Sequence, residues 1–163
     1  MFRLSQENPE DHDEVEYLLD LCFAPGRTAL SSYRLRNGVP KVAELSLAAR
    51  DEYNILAGSI SYWPVHIGKD RHDALLLGPV AVHPTRQGEG LGALLINESL
   101  ELAHQSGRNR IVLVGDAPYY KRFGFSKADF LKMPPPTNPD RLLYRALTDN
   151  AFDGVSGLIK KPK

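Results

Sequence analysis

The chain has 163 residues, 42% of them hydrophobic and 25% charged, enough for one ordinary core and too few for two comfortable ones. Its 20 basic and 20 acidic side chains cancel, so no net field draws nucleic acid or an anionic membrane. A lone cysteine, Cys22, excludes an internal disulfide and a multi-cysteine metal site, and no metal is expected.

In chain order, the opening MFRLSQENPEDHDE is acidic and lacks the basic-then-apolar pattern of a signal peptide. PEDHDEVEYLLDLCF predicts a first helix, with Pro9 near its start, acids in its first turns and Leu18, Leu19 and Leu21 toward a core. A shorter helix is expected around LSSYRLR, after a break at Pro25-Gly26. Three extended stretches follow: residues 42–50, 54–63 and 74–82. The short DEY between the first two predicts an antiparallel hairpin. The third, ALLLGPVAV, is apolar throughout, as a strand covered on both faces would be. It is also the longest apolar run, about half of the ~18 residues that suggest a membrane span. A cytoplasmic protein without membrane contact is therefore expected. Gly78-Pro79 inside this run predicts a strand whose pairing is locally broken, because proline lacks a ladder N–H and glycine invites a bulge.

Residues 91–105 fit an amphipathic helix, with Leu91, Leu95, Ile96, Leu102 and Ala103 on one side and Leu94 as the exception. Gly107 ends it, and RIVLVGD (110–116) reads as another buried strand. Strand, helix, strand in this order predicts that 74–82 and 110–116 run parallel. A short helix at PYYKR, a strand from about Phe125 and a last strand at RLLYRAL complete the α/β pattern. The proline-rich MPPPTNPD (133–140) is a stiff connection, opening a C-terminal extension, 133–163, to a single domain spanning 1–163.

Between the apolar strand and the amphipathic helix lies HPTRQGEGLGALL, with Gly88, Gly90 and Gly92 on alternate positions. The first N–H groups of a helix have no partner inside it, and together with the helix dipole they attract an anion. Missing Cβ atoms let phosphate oxygens approach those amides, so a pyrophosphate is the natural guest; a glycine turn needed only for tight helix–strand packing is the alternative. A nucleoside-triphosphate P-loop needs Lys-Ser/Thr after its last glycine, and Ala93-Leu94 stand there. The dinucleotide form G-x-G-x-x-A is met by Gly88, Gly90 and Ala93, but HPTRQ separates the strand from the first glycine, where that fingerprint begins in a tight turn.

VAVHPTRQGEGLGALLI resembles the acetyl-CoA-binding motif of the GNAT N-acetyltransferases, Gln/Arg-x-x-Gly-x-Gly/Ala, matched by Gln87, Gly90 and Gly92. YYKRFGF resembles that family's Tyr-x-x-x-Gly-Phe, matched by Tyr120, Gly124 and Phe125. LLLGPVAV and LVGDAPYY further resemble a bacterial, YhbS-like subgroup. The resemblance, which covers residues 1–130, implies a mixed α/β fold. Its sheet would be mostly antiparallel, with flanking helices, and a bulged fourth strand would splay from a parallel fifth. It implies acetyl-CoA as cosubstrate, its pantetheine arm along Val80, Ala81 and Val82 and its pyrophosphate on the amides of Gln87, Gly88, Glu89, Gly90, Leu91, Gly92 and Ala93. Arg86, Lys121 and Arg122 are candidates for the adenosine phosphate.

The implied reaction is direct attack by an amine of a small molecule or peptide, in a monomer or homodimer, with no nucleic acid and no membrane. A phenol can donate toward the departing sulfur, which makes Tyr120 the candidate general acid, with Tyr119 as its ambiguous neighbour. The base is open: His83, His66, Glu44 or a water chain. Many family members have Asn near the end of the fifth strand, where this chain has Gly115-Asp116, and Asp116 suits capping of the next helix. On the acceptor side, Arg27 and Arg34 are candidates for a carboxylate, and Trp63 for a wall of the pocket or a core plug. A catalytically silent acyl-CoA-binding or sensor domain is the competing reading.

Overall fold

The structure is a computed structural model that describes residues 1–23, 27 and 30–162. Its elements run β1 (Arg3–Gln6), α1 (His12–Cys22), α2 (Ser31–Arg34), β2 (Leu47–Arg50), β3 (Leu56–Ile67), β4 (His72–Val82) and α3 (Leu91–Gln105). There follow β5 (Arg110–Val114), α4 (Ala117–Lys121), β6 (Ser126–Lys127), β7 (Leu131–Lys132), β8 (Leu142–Ala146) and β9 (Gly157–Lys160). The sheet order is β1-β2-β3-β4-β5-β8-β6, with β9 on β3 and β7 on β9. Along the main path only β4 and β5 pair in parallel, as the crossover through α3 requires.

Strand residues alternate between two covered faces. Leu47, Ala49, Ile60, Tyr62, Leu75, Leu77, Ile111 and Leu113 join Leu91, Leu95, Ile96 and Leu100 of α3 in one cluster. Ala48, Leu56 and Ala81 meet Val15, Leu18 and Leu19 of α1 on the other face. Close approach of α3 is purchased by Gly58, where a Cβ would come within 2.9 Å of Leu91 Cδ2 and 3.0 Å of the Ala81 carbonyl oxygen. Tyr62 and Ser99, both buried, tie β3 to α3 through their hydroxyls at 2.8 Å.

The break foreseen at Gly78-Pro79 is present. Ile60 pairs with Val80 and Tyr62 with Leu77, so two residues of β4 stand opposite one of β3. The extra residue resets the alternation, so that Val80 and Val82 follow Leu75 and Leu77 onto the α3 face and Ala81 turns to α1. The indole N–H of Trp63 donates to the Gly78 carbonyl at 2.7 Å.

Several expectations need correction. Residues 43–45 form a 3-10 turn rather than strand, closed by Ser46, whose hydroxyl donates to the Val42 carbonyl at 2.9 Å. Leu21 is 42% exposed and Leu102 37% exposed, both at the margins of their helix faces; Val15 and Leu100 take the core positions. RLLYRAL gives β8 but is not the last strand, because β9 returns to β3 at His66 and Ile67. β1 and β7 were not foreseen. The Pro25-Gly26 break lies outside the described residues.

Candidate active site

The turn from β4 into α3 is a run of free donors. Gly90, the N-cap of α3, lies at φ +81 and offers no side-chain cap, while Gly88 lies at φ +85. A Cβ at either glycine would meet nothing within 4 Å. The left-handed backbone, not crowding by protein, is what asks for glycine there. Leu94 N–H is the first α3 donor to find its partner, the Gly90 carbonyl at 3.0 Å. Among the described residues, no main-chain N–H from Gln87 through Ala93 has a protein acceptor. These donors share the positive end of a four-turn helix, which favours an anion.

Side chains of the same turn hold its shape. Gln87 Nε2 donates to the Val82 carbonyl at 3.2 Å. Arg86 spans Glu89 at 2.9 Å and Asp51 at 3.0 Å, with its guanidinium 4.7 Å from the Phe2 ring centroid. Asp51 also accepts from the N–H of Tyr53 and of Ile55 in the β2–β3 turn, and these bonds hold its carboxyl below the ordinary range. Arg86 is thus a clamp within the protein. Lys121 and Arg122 are exposed, and Arg122 rests over the Tyr119 and Phe123 rings at 5.2 Å.

Next to this turn the sheet opens. β4 and β5 pair only at Leu75–Ile111 and Leu76–Val112, leaving the rest of β4 beside a gap. The His83 N–H donates to the Ala57 carbonyl at 2.7 Å. Antiparallel alternation then turns the main-chain groups of Ala81 to β3 and those of Val80 and Val82 to the gap. The Val82 carbonyl accordingly takes Gln87 and the Cys22 thiol, the latter at 3.3 Å. Ala81 therefore offers the gap no backbone group, contrary to the sequence expectation.

The gap widens into a cavity of about 510 Å³ between α2, the β4 bulge, the end of β5 and residues 136–141. Tyr120 lines it and Tyr119 does not. Tyr119 instead sits against α3, where a Cβ on Gly92 would come 3.2 Å from its hydroxyl. α4 sets this division: Asp116 caps the helix by accepting from the Tyr119 N–H at 3.1 Å, and Gly115 leaves room for the Tyr120 ring. Among the described residues the Tyr120 hydroxyl has no hydrogen-bond partner. Burial, then the neighbouring Tyr119, pushes its pKa up to about 12.

None of the candidate bases reaches this cavity. His83 Nδ1 accepts from Thr85 and the ring lines a separate depression beside α1. His66 pairs with Asp73 at 3.2 Å in another cavity, and Glu44, in the 3-10 turn, pairs with Arg108 at 3.2 Å. Arg27 lines the cavity but is engaged by Asp20 at 2.8 Å and Glu16 at 3.7 Å. Arg34 is exposed and outside it. Arg36, Tyr33 and Arg141 line it and were not singled out from sequence. Arg36 lies beyond the end of α2, where no periodicity marks a side chain as facing inward.

A model of the acetyltransferase (GNAT) domain matches residues 43–127, more than half of the chain. The uncharacterized N-acetyltransferase YhbS of Escherichia coli K12 is 28% identical over 156 residues, covering 94% of this chain and 92% of that protein. The crystal structure of Escherichia coli YhbS in complex with CoA has a TM-score of 0.84 at 28% identity, covering 99% of this chain and 89% of that one. A GNAT acetyltransferase of Brucella melitensis in complex with acetyl-CoA has a TM-score of 0.65 at 28% identity, covering 94% and 99%. A glycine turn opening α3, a bulged β4 parted from a parallel β5, and this match together place the chain in the GNAT acetyltransferase family.

Proposed function

We propose that the protein transfers the acetyl group of acetyl-CoA to an amine of a small molecule or peptide, with Tyr120 as general acid. The observation that carries the reading is the unbroken run of N–H groups from Gln87 through Ala93 that have no protein acceptor among the described residues. Two relatives of this fold hold CoA and acetyl-CoA, and these donors fit a diphosphate in number and charge. When bound, acetyl-CoA supplies an activated thioester carbonyl.

The chain's own groups then have distinct tasks. Amides of Gln87, Gly88, Glu89, Gly90, Leu91, Gly92 and Ala93 hold the diphosphate. The outward groups of Val80 and the outward N–H of Val82 take the pantetheine amides as an added strand, the Val82 carbonyl being occupied by Gln87 and Cys22. The Tyr120 phenol, kept neutral by burial, holds a proton for the leaving sulfur. The incoming amine releases its own proton to water, because Asp116, the one carboxylate in the described cavity wall, is committed to its cap. Pro136 and Arg141 line the same cavity, which supports reading 133–163 as an extension of the single domain on its acceptor side.

A catalytically silent acyl-CoA-binding domain is the second reading, favoured by the distance of His66, His83 and Glu44 from the cavity. Calorimetric titration with acetyl-CoA, followed by thiol release over a panel of amines, separates the two. Binding with release from at least one amine is expected. Binding without release from any amine supports the silent domain, and unmoved amide resonances at 87–93 remove both.

A further inference from the structure

Arg36 stands in the acceptor wall of the Tyr120 cavity. Its guanidinium lies 3.5 Å from the Tyr33 ring centroid and 5.4 Å from that of Trp63. Among the described residues only Nε has a hydrogen bond, to the Ser32 carbonyl at 3.2 Å, and the outer N–H donors of the fork have no partner there. No carboxylate reaches it among the described residues, and the others carry no Asp or Glu side chain. Arg27, 6.0 Å from the centroid of the same tyrosine ring, is engaged by both Asp20 and Glu16. The Tyr33 hydroxyl is buried and has no partner among the described residues.

Burial moves the Arg36 pKa below its ordinary value. Glu16 acts on it only from a distance, and a guanidinium withdrawn from water without a directly bonded carboxylate is a destabilising arrangement that an anionic ligand relieves. A planar fork with outer donors to offer suits a monoanion that accepts two parallel bonds, and a carboxylate has that geometry. Arg141 adds like charge to the cavity rim. Taken with the acetyl-transfer reading, on which it rests, the geometry points to an acceptor amine that also carries a carboxylate. Arg36 and the Tyr33 hydroxyl would grip that carboxylate so that the amino group faces Tyr120.

The test uses the full chain, acetyl-CoA and matched pairs of amino acids and their amides, read by thiol release. Amides have the more easily deprotonated amine, so intrinsic reactivity favours them and a preference for the acid must come from the site. The acid of at least one pair is expected to show kcat/KM higher than its amide by about tenfold to a hundredfold. Arg36→Gln should bring that ratio to near one, mostly through KM, with acetyl-CoA affinity and Tm retained as proof of folding. Arg36→Lys should recover part of the ratio. The proposal is overturned by amides used as well as acids, by a ratio that survives Arg36→Gln, or by acetyl-CoA binding without turnover of any acid in the panel. Failure of acetyl-CoA to bind the unaltered protein is a different result, which removes the transferase reading as well.

Discussion

Gly115 and Tyr120 are fitted to each other: a Cβ built on Gly115 would lie 2.6 Å from Tyr120 Cε2 and 3.0 Å from Cδ2. The ring therefore covers the end of β5 only because residue 115 has no side chain. Gly115→Ala is expected to displace the ring and lower kcat, and Tyr120→Phe to lower it by about a hundredfold, both with acetyl-CoA affinity little changed. Steady-state kinetics beside calorimetry decide the matter. An unaltered kcat in Tyr120→Phe removes the phenol from the reaction.

The same ring predicts how stability responds to alkali. Burial holds the Tyr120 phenol at about 12 and also raises Tyr62, against about 10 in an unfolded chain. Between those values the unfolded chain has released protons that the folded chain keeps. The contribution is full below about pH 10 and declines as pH rises toward 12. Urea midpoints measured from pH 8 to 12 should fall less steeply in Tyr120→Phe than in the parent chain; parallel curves would contradict the assignment.

Trp63, which does not line the Tyr120 cavity, braces the bulge of β4. Its indole N–H is bonded to the Gly78 carbonyl in the bulge of β4. Trp63→Phe keeps an aromatic ring but drops that bond, at a cost of about 1 kcal/mol. Thermal denaturation should register the loss, and acetyl-CoA affinity should fall with it because Val80 and Val82 follow the bulge directly. If affinity holds while stability drops, the bond serves the fold alone.

Gly90 tests the diphosphate cradle without touching a packed atom. Its φ of +81 disfavours any L side chain by about 1 kcal/mol, and a Cβ there meets only open space. Gly90→Ala should lose about that much stability, Gly90→Asn less, since asparagine tolerates the left-handed region. Urea melts of the two variants give the comparison, and equal losses would mean that the conformation is not what selects glycine.

Legibility in the sequence followed how local each signal was. α3 was readable because its apolar period runs four turns between a glycine start and Gly107. β4 was readable for its continuous apolar run, and its break for Gly78-Pro79. β1 escaped because in Arg3–Gln6, an edge strand, Leu4 alone packs against the core, too little to mark an alternation. β9 escaped because Gly157–Lys160 is short and becomes a strand only by returning to β3. Residues 42–46 carried strand-like apolar residues, yet the Ser46 hydroxyl bond to Val42 turns them. At the site, the glycine turn was visible in spacing, and Tyr120 only through the resemblance of YYKRFGF to the family motif. Arg36 was not, since its exposure to the cavity depends on where α2 lands against β4.

The parallel seam between β4 and β5 has a dynamic consequence. Two register pairs join the β1–β4 half of the sheet to the β5–β8–β6 half, so the ladder is thinnest where a guest would lie. Deuterium uptake at Val80 and Val82 should be fast in the empty protein and slow once a bound arm supplies the missing rungs. Occupancy and rigidity would then be one event, with the cosubstrate serving as a temporary strand of the sheet that binds it.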